Sequence, residues 1–365
     1  MRISSLARPA LLAAFAAFLA SCERTSDTQP VTPTGSGNNV YITNEGAFGN
    51  ANGSVTLFDK TSNTATANLF QNANGRALGD VVESMTVAGN SGYVVVNNSN
   101  KVEVVSLPSF RSAATISTVT QPRYMVANTT TNRGYITEWL SSTAGRVSVI
   151  DLGSNAVVGT LPTGRYPEKP LLYNNIVYVP NSDENTLTLI DAAQQKVTST
   201  LTVSDGPGSL VADKNGNIWV LCSGITRYQN QPPYAVISST PGALIRFSPG
   251  APTQQLVLPF AASSSPSGLR ISPDGSQLYY HIGKRAYRMD VTATTLPTTP
   301  FLQRTFSALS AFYGFDIDPK DNTLYVLNAS FTGPSQLVRY RLSATTATPI
   351  DSFSTGIGSN GAAFY

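Results

Sequence analysis

The sequence predicts an all-β fold, a seven-bladed β-propeller whose last strand closes the ring. Three observations carry this. First, a strand led by an aromatic residue recurs seven times, at Tyr41, Tyr93, Tyr135, Tyr178, Trp219, Tyr279 and Tyr325, at intervals of 52, 42, 43, 41, 60 and 46 residues. Repeats of roughly 40–50 residues that each hold several short strands are the mark of propeller blades. Second, outside the N-terminus no helical periodicity runs beyond about two turns. Third, the first copy opens at Val40 without an innermost strand, and the segment Gly361-Ala362-Ala363-Phe364-Tyr365 supplies one from the other end of the chain. Pairing these two segments leaves no exposed sheet edge at the seam. A β-sandwich would not require seven equivalent copies.

Within each copy the elements follow in a fixed order. The cleanest copy lies between Asn175 and Leu201. An aromatic-led strand ends in a polar loop, and an alternating strand then runs into Ile190-Asp191. A short turn leads to an outer strand from Lys196. The strand-end signpost recurs as Phe58-Asp59, Ile150-Asp151 and Met289-Asp290. An Asp side chain there bonds the backbone of the following turn. A further strand precedes each aromatic across a tight turn, as at Gly89-Asn90, Asp213-Lys214-Asn215-Gly216-Asn217, Pro273-Asp274-Gly275 and Pro319-Lys320-Asp321-Asn322. Turn-forming residues between alternating runs make hairpins, so each blade is a four-stranded antiparallel sheet.

The N-terminus reads as a targeting segment. Arg2 and Arg8 form a basic stretch ahead of an apolar run, Ala10 to Ala20, that is too short to span a bilayer. Leu19-Ala20-Ser21-Cys22 resembles a bacterial lipobox. Residues 1–21 are therefore expected to be a lipoprotein signal peptide, and residues 22–39 a lipidated Cys22 followed by a flexible tether. The propeller is expected over 40–365. A lipid on Cys22 anchors the chain without crossing the membrane. Loss of residues 1–21 removes two arginines and no acids, which takes the formal charge from +3 to +1. That balance gives no basis for nucleic-acid binding. The remaining cysteine, Cys222, has no internal partner and reads as a buried strand residue.

Two sets of loops reach one face of such a ring, and aligning the copies places residues there. Three positions after each leading aromatic stand Asn44, Val96, Glu138, Asn181, Cys222, Ile282 and Asn328. The polar members either cap turns or face a ligand. The loops beyond carry Glu45, Phe48, Trp139, Arg227, Tyr228, Tyr234 and Phe331, and the largest insertion covers residues 223–242. Long loops on a rigid scaffold are where function concentrates. At the start of the innermost strands Glu83, Arg123 and Glu168 alternate in sign on neighbouring blades, with Gly208, Ser267, Gly314 and Asn360 completing the ring. This row could orient a polar ligand or form an internal salt-bridge chain. Tyr124, Tyr166 and Tyr313 place aromatic bodies beside it, a mixture common at binding hot spots.

Catalytic chemistry finds little footing in the residues. His281 is the only histidine, which excludes any site of several histidines and leaves one candidate general base. The stretch 213–217 resembles the start of a calcium loop, but its twelfth position is Gly224, so a hairpin turn is expected. No metal or cofactor is expected.

The pattern aromatic-Val-x-Asn followed by Val-x-Val-Ile-Asp, carried by Tyr178-Val179-Pro180-Asn181 with Leu187-Thr188-Leu189-Ile190-Asp191 and by Tyr325-Val326-Leu327-Asn328, resembles the YVTN or YncE-like seven-bladed propellers. The stretch 43–54, TNEGAFGNANGS, is similar to the opening motif of YncE-like surface lipoproteins associated with TonB-dependent transporters, of which cobalamin-capturing lipoproteins are the known case. The resemblance implies a non-enzymatic, monomeric, lipid-anchored outer-membrane protein at the cell surface. It would capture a bulky solute or metal complex and work with a transporter. Asn44, Glu45, Phe48, Glu83, Arg123, Tyr124, Glu138, Trp139, Tyr166, Glu168, Asn181, Arg227, Tyr228, Tyr313 and Asn328 are the expected ligand contacts. The alternatives are a propeller hydrolase, lyase or quinoprotein, and a protein-interaction scaffold.

Overall fold

Runs such as Val94-Val95-Val96 and Val102 to Val105 cannot hide every side chain along one stripe of a helix, but they suit a sheet buried on both faces. The computed structural model, which describes residues 37–262, 264–304 and 310–365, forms seven such sheets around a central channel. Each has four antiparallel strands. The inner strands of the second to seventh blades are Val82–Ala88, Pro122–Asn128, Leu171–Tyr173, Pro207–Ala212, Pro266–Ile271 and Ser310–Ile317. The expected signal segment, Cys22 and the tether through residue 36 lie outside the described residues. The first strand begins at Asn39, one residue ahead of the expected boundary.

The ring closes as expected. The C-terminal strand Ser359–Phe364 pairs antiparallel with Asn39–Asn44, with Tyr41 opposite Ala363. Asn39 and Tyr365 exchange both backbone hydrogen bonds, at 3.2 and 2.9 Å. The first blade is therefore built from both ends of the chain, and opening it would expose an unpaired edge.

The seven leading aromatics are all buried, none more than 3% exposed. They serve as knobs between blades. Tyr93 donates its hydroxyl to Asn155 Oδ1 (3.0 Å), and Tyr135 donates to the Ala192 carbonyl (2.9 Å), each reaching the following blade. Tyr178 packs 6.2 Å from Phe247, while Tyr325 meets Phe58 at 6.3 Å across the seam. The core is thus a series of apolar layers between sheets; one joins Tyr41 and Val55 of the first blade, Val94 and Val105 of the second, and Tyr365.

The signpost acids also do what their position requires. Asp59 Oδ1 accepts from the Thr61 amide (2.7 Å), Asp151 from Ser154 (2.8 Å), Asp191 from Ala193 (2.8 Å) and Asp290 from Thr292 (2.8 Å). Two elements lay beyond the sequence reading. Leu69–Asn74 forms a six-residue helix. The insertion at 223–242 folds back as a two-stranded hairpin, Thr226–Tyr228 with Val236–Ser239. Among the described residues no helix is long and apolar enough to cross a membrane.

Candidate functional site

A β-bulge or register shift interrupts the inner-strand pairing near the loop face in most blades. The shifts fall between Val82 and Ser84, Pro122 and Met125, Pro207 and Ser209, Ser267 and Arg270, and Ser310 and Gly314, with one more where Thr43 and Asn44 meet the closing strand. In the fourth blade an isolated bridge, Pro167 to Asn181, stands before the pairing resumes at Leu171. A bulge leaves its extra residue out of the ladder and turns its side chain to a new direction. The residues so released include Glu83, Arg123, Tyr124, Glu168 and Lys169, which is how the fold equips its mouth.

The row of alternating charge is a salt-bridge chain. Arg123 Nη1 lies 2.5 Å from Glu83 Oε2, and its Nη2 lies 3.1 Å from Glu168 Oε1. All three side chains are mostly buried, at 17%, 8% and 14% exposure, so they set the mouth's shape before they could meet a ligand. Burial pushes the Glu168 carboxyl up to about 7 even though Arg123 opposes the shift. Glu83 is raised as well, first by burial. Burial would lower Arg123, but the two carboxylates outweigh it and hold the guanidinium firmly charged. Two carboxylates share one cation and burial raises both, so the pair holds a proton to higher pH than a free carboxylate does.

The network continues to the seam. Asn360 Nδ2 donates to the Glu83 carbonyl (2.9 Å) and to Glu45 Oε1 (3.2 Å), and Glu45 Oε1 also accepts from the Tyr313 hydroxyl (2.9 Å). Glu45 is raised from the ordinary carboxylate value, chiefly by burial and then by Glu83. Aromatic rings sit over this framework. The Arg123 guanidinium lies 4.1 Å above the Trp139 ring and 5.6 Å from Tyr124. Trp139 meets Tyr166 edge-on at 4.8 Å and donates its indole N–H to the Pro167 carbonyl (3.2 Å). Tyr313 meets Phe331 edge-on at 5.3 Å.

The loop 43–54 is built to lift one side chain. Gly46 has φ +85°, and a Cβ there would come within 2.4 Å of Asn52 Oδ1. That oxygen accepts from the Ala47 amide (2.8 Å), and buried Asp80 accepts from the Gly49 amide (3.0 Å). The tip residue Phe48 is 79% exposed.

Not every expected contact reaches this mouth. Asn44, Glu138, Asn181 and Asn328 are buried and engaged inside their blades. Asn44 Nδ2 donates to Ser54 Oγ and Thr56 Oγ1 (both 3.2 Å), and its Oδ1 accepts from Ser359 (2.6 Å). Glu138 binds Arg146 Nη2 (2.8 Å), the Ser148 hydroxyl and the Thr120 amide (2.6 Å). Asn181 spans to Thr186 and Thr188, and Asn328 to Gln336. Their shared place in the repeat is a bracket between the second and third strands. Arg227 and Tyr228 form a separate cluster. Arg227 pairs with Asp183, and the inserted hairpin walls a cleft of ≈ 460 Å³ with Arg165, Asp183, Glu184 and Asp205.

Sequence reasoning passed over Lys169 and Asp80, and the paired acids Asp183-Glu184 read as solvated surface. Lys169 directly follows Glu168, so extending the aligned ring by one residue would have found it.

Chemically, the mouth offers shape, aromatic surface and a fixed charge row. Among the described residues no cluster of three His, Cys, Asp or Glu is placed to hold a metal. His281 accepts from or donates to Ser267 (3.1 Å) and stacks 5.4 Å from Phe312. Burial, then Arg270, lower its pKa to about 4, a weak general base at neutral pH. Cys222 is fully buried, and burial pushes its thiol up to about 12.

No functionally curated protein is detectably similar in sequence. Solved structures share the fold at low identity. A putative 6-phosphogluconolactonase from Bacteroides fragilis superposes with TM-score 0.62 at 13% identity, covering 92% of this chain and 100% of that one. A protein from Lactobacillus plantarum gives 0.63 at 15%, covering 90% and 99%. The periplasmic gluconolactonase of Pseudomonas aeruginosa gives 0.59 at 12%, covering 89% and 99%. These likenesses show the propeller and nothing of its chemistry. A family model described as a domain of unknown function, DUF5074, matches residues 38–329, and the chain belongs to that family.

Proposed function

We propose that the protein is a non-enzymatic binding propeller that captures a bulky, partly apolar solute on its loop face. One observation carries this reading. Of the eleven exposed large hydrophobic side chains among the described residues, eight stand on the loop face: Phe48, Leu140, Tyr228, Tyr234, Val236, Ile237, Tyr313 and Phe331. The other three, Val158, Val257 and Ile350, lie on outermost strands. Exposed apolar surface gathered on one face marks an interaction site. The charge row beneath gives that surface a rigid floor, as a preformed site needs.

The N-terminal pattern through Cys22 supports lipid anchoring at the outer membrane, and the motif at 43–54 supports work beside a transporter. That motif makes a corrinoid the first solute to test. Calorimetry with cobalamin and the full-length protein is expected to show saturable binding. The double variant Phe48→Ser, Tyr228→Ser should weaken it about tenfold, roughly 1.4 kcal/mol, because both residues are exposed and contribute contact without supporting the fold. Unchanged affinity in the folded double variant would move the site elsewhere. Hydrolysis of a lactone that is abolished by His281→Ala would replace this reading with the enzymatic one.

A further inference from the structure

The inserted hairpin walls a cleft whose charges do not balance. The cleft, of ≈ 460 Å³, lies between the loop that follows Asn181 on the fourth blade and the hairpin of the fifth. A volume of that size takes a small organic molecule. Its walls carry three carboxylates, Asp183, Glu184 and Asp205, and two guanidinium groups, Arg165 and Arg227. Asp183 pairs with both cations, Arg227 and, at 3.4 Å, Arg165. Glu184 Oε1 lies 3.6 Å from Arg165 Nε and accepts the Arg165 amide (3.0 Å), while its Oε2 accepts the Thr186 hydroxyl (2.8 Å). Both guanidinium groups are thus committed to Asp183 and Glu184. The Asp205 carboxylate has no cation and no hydrogen bond among the described residues. Two cations against three anions leave one negative charge, and it sits on Asp205.

The backbone fixes Asp205 where the two walls meet. Its carbonyl accepts the Gly224 amide at the base of the hairpin (3.0 Å). The next residue, Gly206, donates to the Glu184 carbonyl (2.8 Å) and accepts from the Ser223 amide (2.8 Å). Gly206 and Gly224 have φ of +71° and +74°, and a Cβ on them would come within 2.4 and 2.2 Å of a carbonyl oxygen. Only glycine lets the hairpin base approach the blade so closely. Asn185 lines the cleft from the fourth-blade wall and Ser238 from the hairpin wall, and neither side chain makes a hydrogen bond among the described residues. A lone carboxylate flanked by an uncommitted amide oxygen and an uncommitted hydroxyl is an acceptor set for N–H donors.

We propose that this cleft binds the cationic nitrogen group of a small solute, an ammonium or a guanidinium, with Asp205 as its counterion and Asn185 and Ser238 accepting further N–H bonds. Hydrogen bonds between ionised partners are shorter and stronger than neutral ones, so a cation that carries N–H groups gains over one that brings charge alone. The site is separate from the solute proposed for the aromatic surface, since nothing on the first blade lines the cleft.

The test uses the full-length protein at low ionic strength, with ethylammonium, methylguanidinium and tetramethylammonium chloride as separate probes in ligand-observed NMR titrations. Saturable binding of ethylammonium or methylguanidinium is expected. Tetramethylammonium, of equal charge and without N–H groups, should bind at least fivefold more weakly. Asp205→Asn should weaken binding of the preferred cation at least tenfold, and Asp205→Glu should retain it. Tighter methylguanidinium identifies a guanidinium-bearing ligand; ethylammonium of equal or greater affinity identifies an amine. Phe48→Ser should bind the cations as the parent does. Thermal melts confirm that each variant is folded. Four results would overturn the proposal: no saturable binding of either N–H cation, tetramethylammonium binding as tightly, unchanged affinity in folded Asp205→Asn, or an equal loss in Phe48→Ser.

Discussion

A guanidinium shared by two buried carboxylates leaves one carboxyl protonated for longer than an open chain would allow. Glu168 carries that burden, with a folded pKa of about 7 against an ordinary 4.5. Between these values the folded state holds a proton that the unfolded state has released, so this group's contribution to stability is lost as pH rises through about 7. Glu168→Gln removes the titration and keeps a hydrogen-bonding partner for Arg123. The variant is expected to be more stable than the parent at pH 8 by roughly 1–3 kcal/mol and nearly equal at pH 4.5, as read from urea unfolding at the two pH values. An equal difference at both pH values would show that the chain of charges does not titrate in this way. Residue identity was legible here, since the alternation of Glu83, Arg123 and Glu168 can be aligned by eye. Its meaning was not, because pairing and ligand binding ask for the same residues.

At the scale of single elements, the turn 213–217 shows how one side chain can specify a hairpin. Asp213 Oδ1 accepts from the amides of Asn215 (2.8 Å) and Asn217 (3.0 Å), and its Oδ2 accepts from the indole N–H of buried Trp219 (2.8 Å). The hairpin turn expected from the sequence is present, and these contacts use both carboxylate oxygens. Asp213→Ala would strand a buried indole donor and unbind the turn, costing about 2 kcal/mol in chemical unfolding. A change under about 0.5 kcal/mol would mean that water replaces the carboxylate. The inserted hairpin is the contrary case. Its strands are exposed along their length, so no buried face imposed an alternation that could be read in advance.

The whole molecule rests on the seam. The family match ends at residue 329, yet the ring is completed only by the outer strands of the seventh blade and by Ser359–Phe364. Tyr365 is buried and its ring lies 6.4 Å from Tyr41. Tyr365→Ala is expected to cost about 3 kcal/mol, in the range for emptying an aromatic site in a core. Removing residues 359–365 is expected to abolish cooperative unfolding, because the first blade would lose its inner strand and present an open edge. A shortened chain that still melts in one sharp transition would show that the ring does not need its clasp.

The sequence by itself determined the blade count, the closing strand and the signpost turns. Each of these repeats, and a repeat can be aligned without coordinates. Only the tertiary structure decided what the channel mouth contains. Bulges on the inner strands release Glu83, Arg123 and Lys169 from the ladder, and a bulge is a mismatch between two strands that neither strand spells out alone. The same reason separates Asn44 and Asn181, turned into the blades, from Phe48, lifted clear of them. Side chains a few residues apart take opposite roles once strand register and blade packing set their directions.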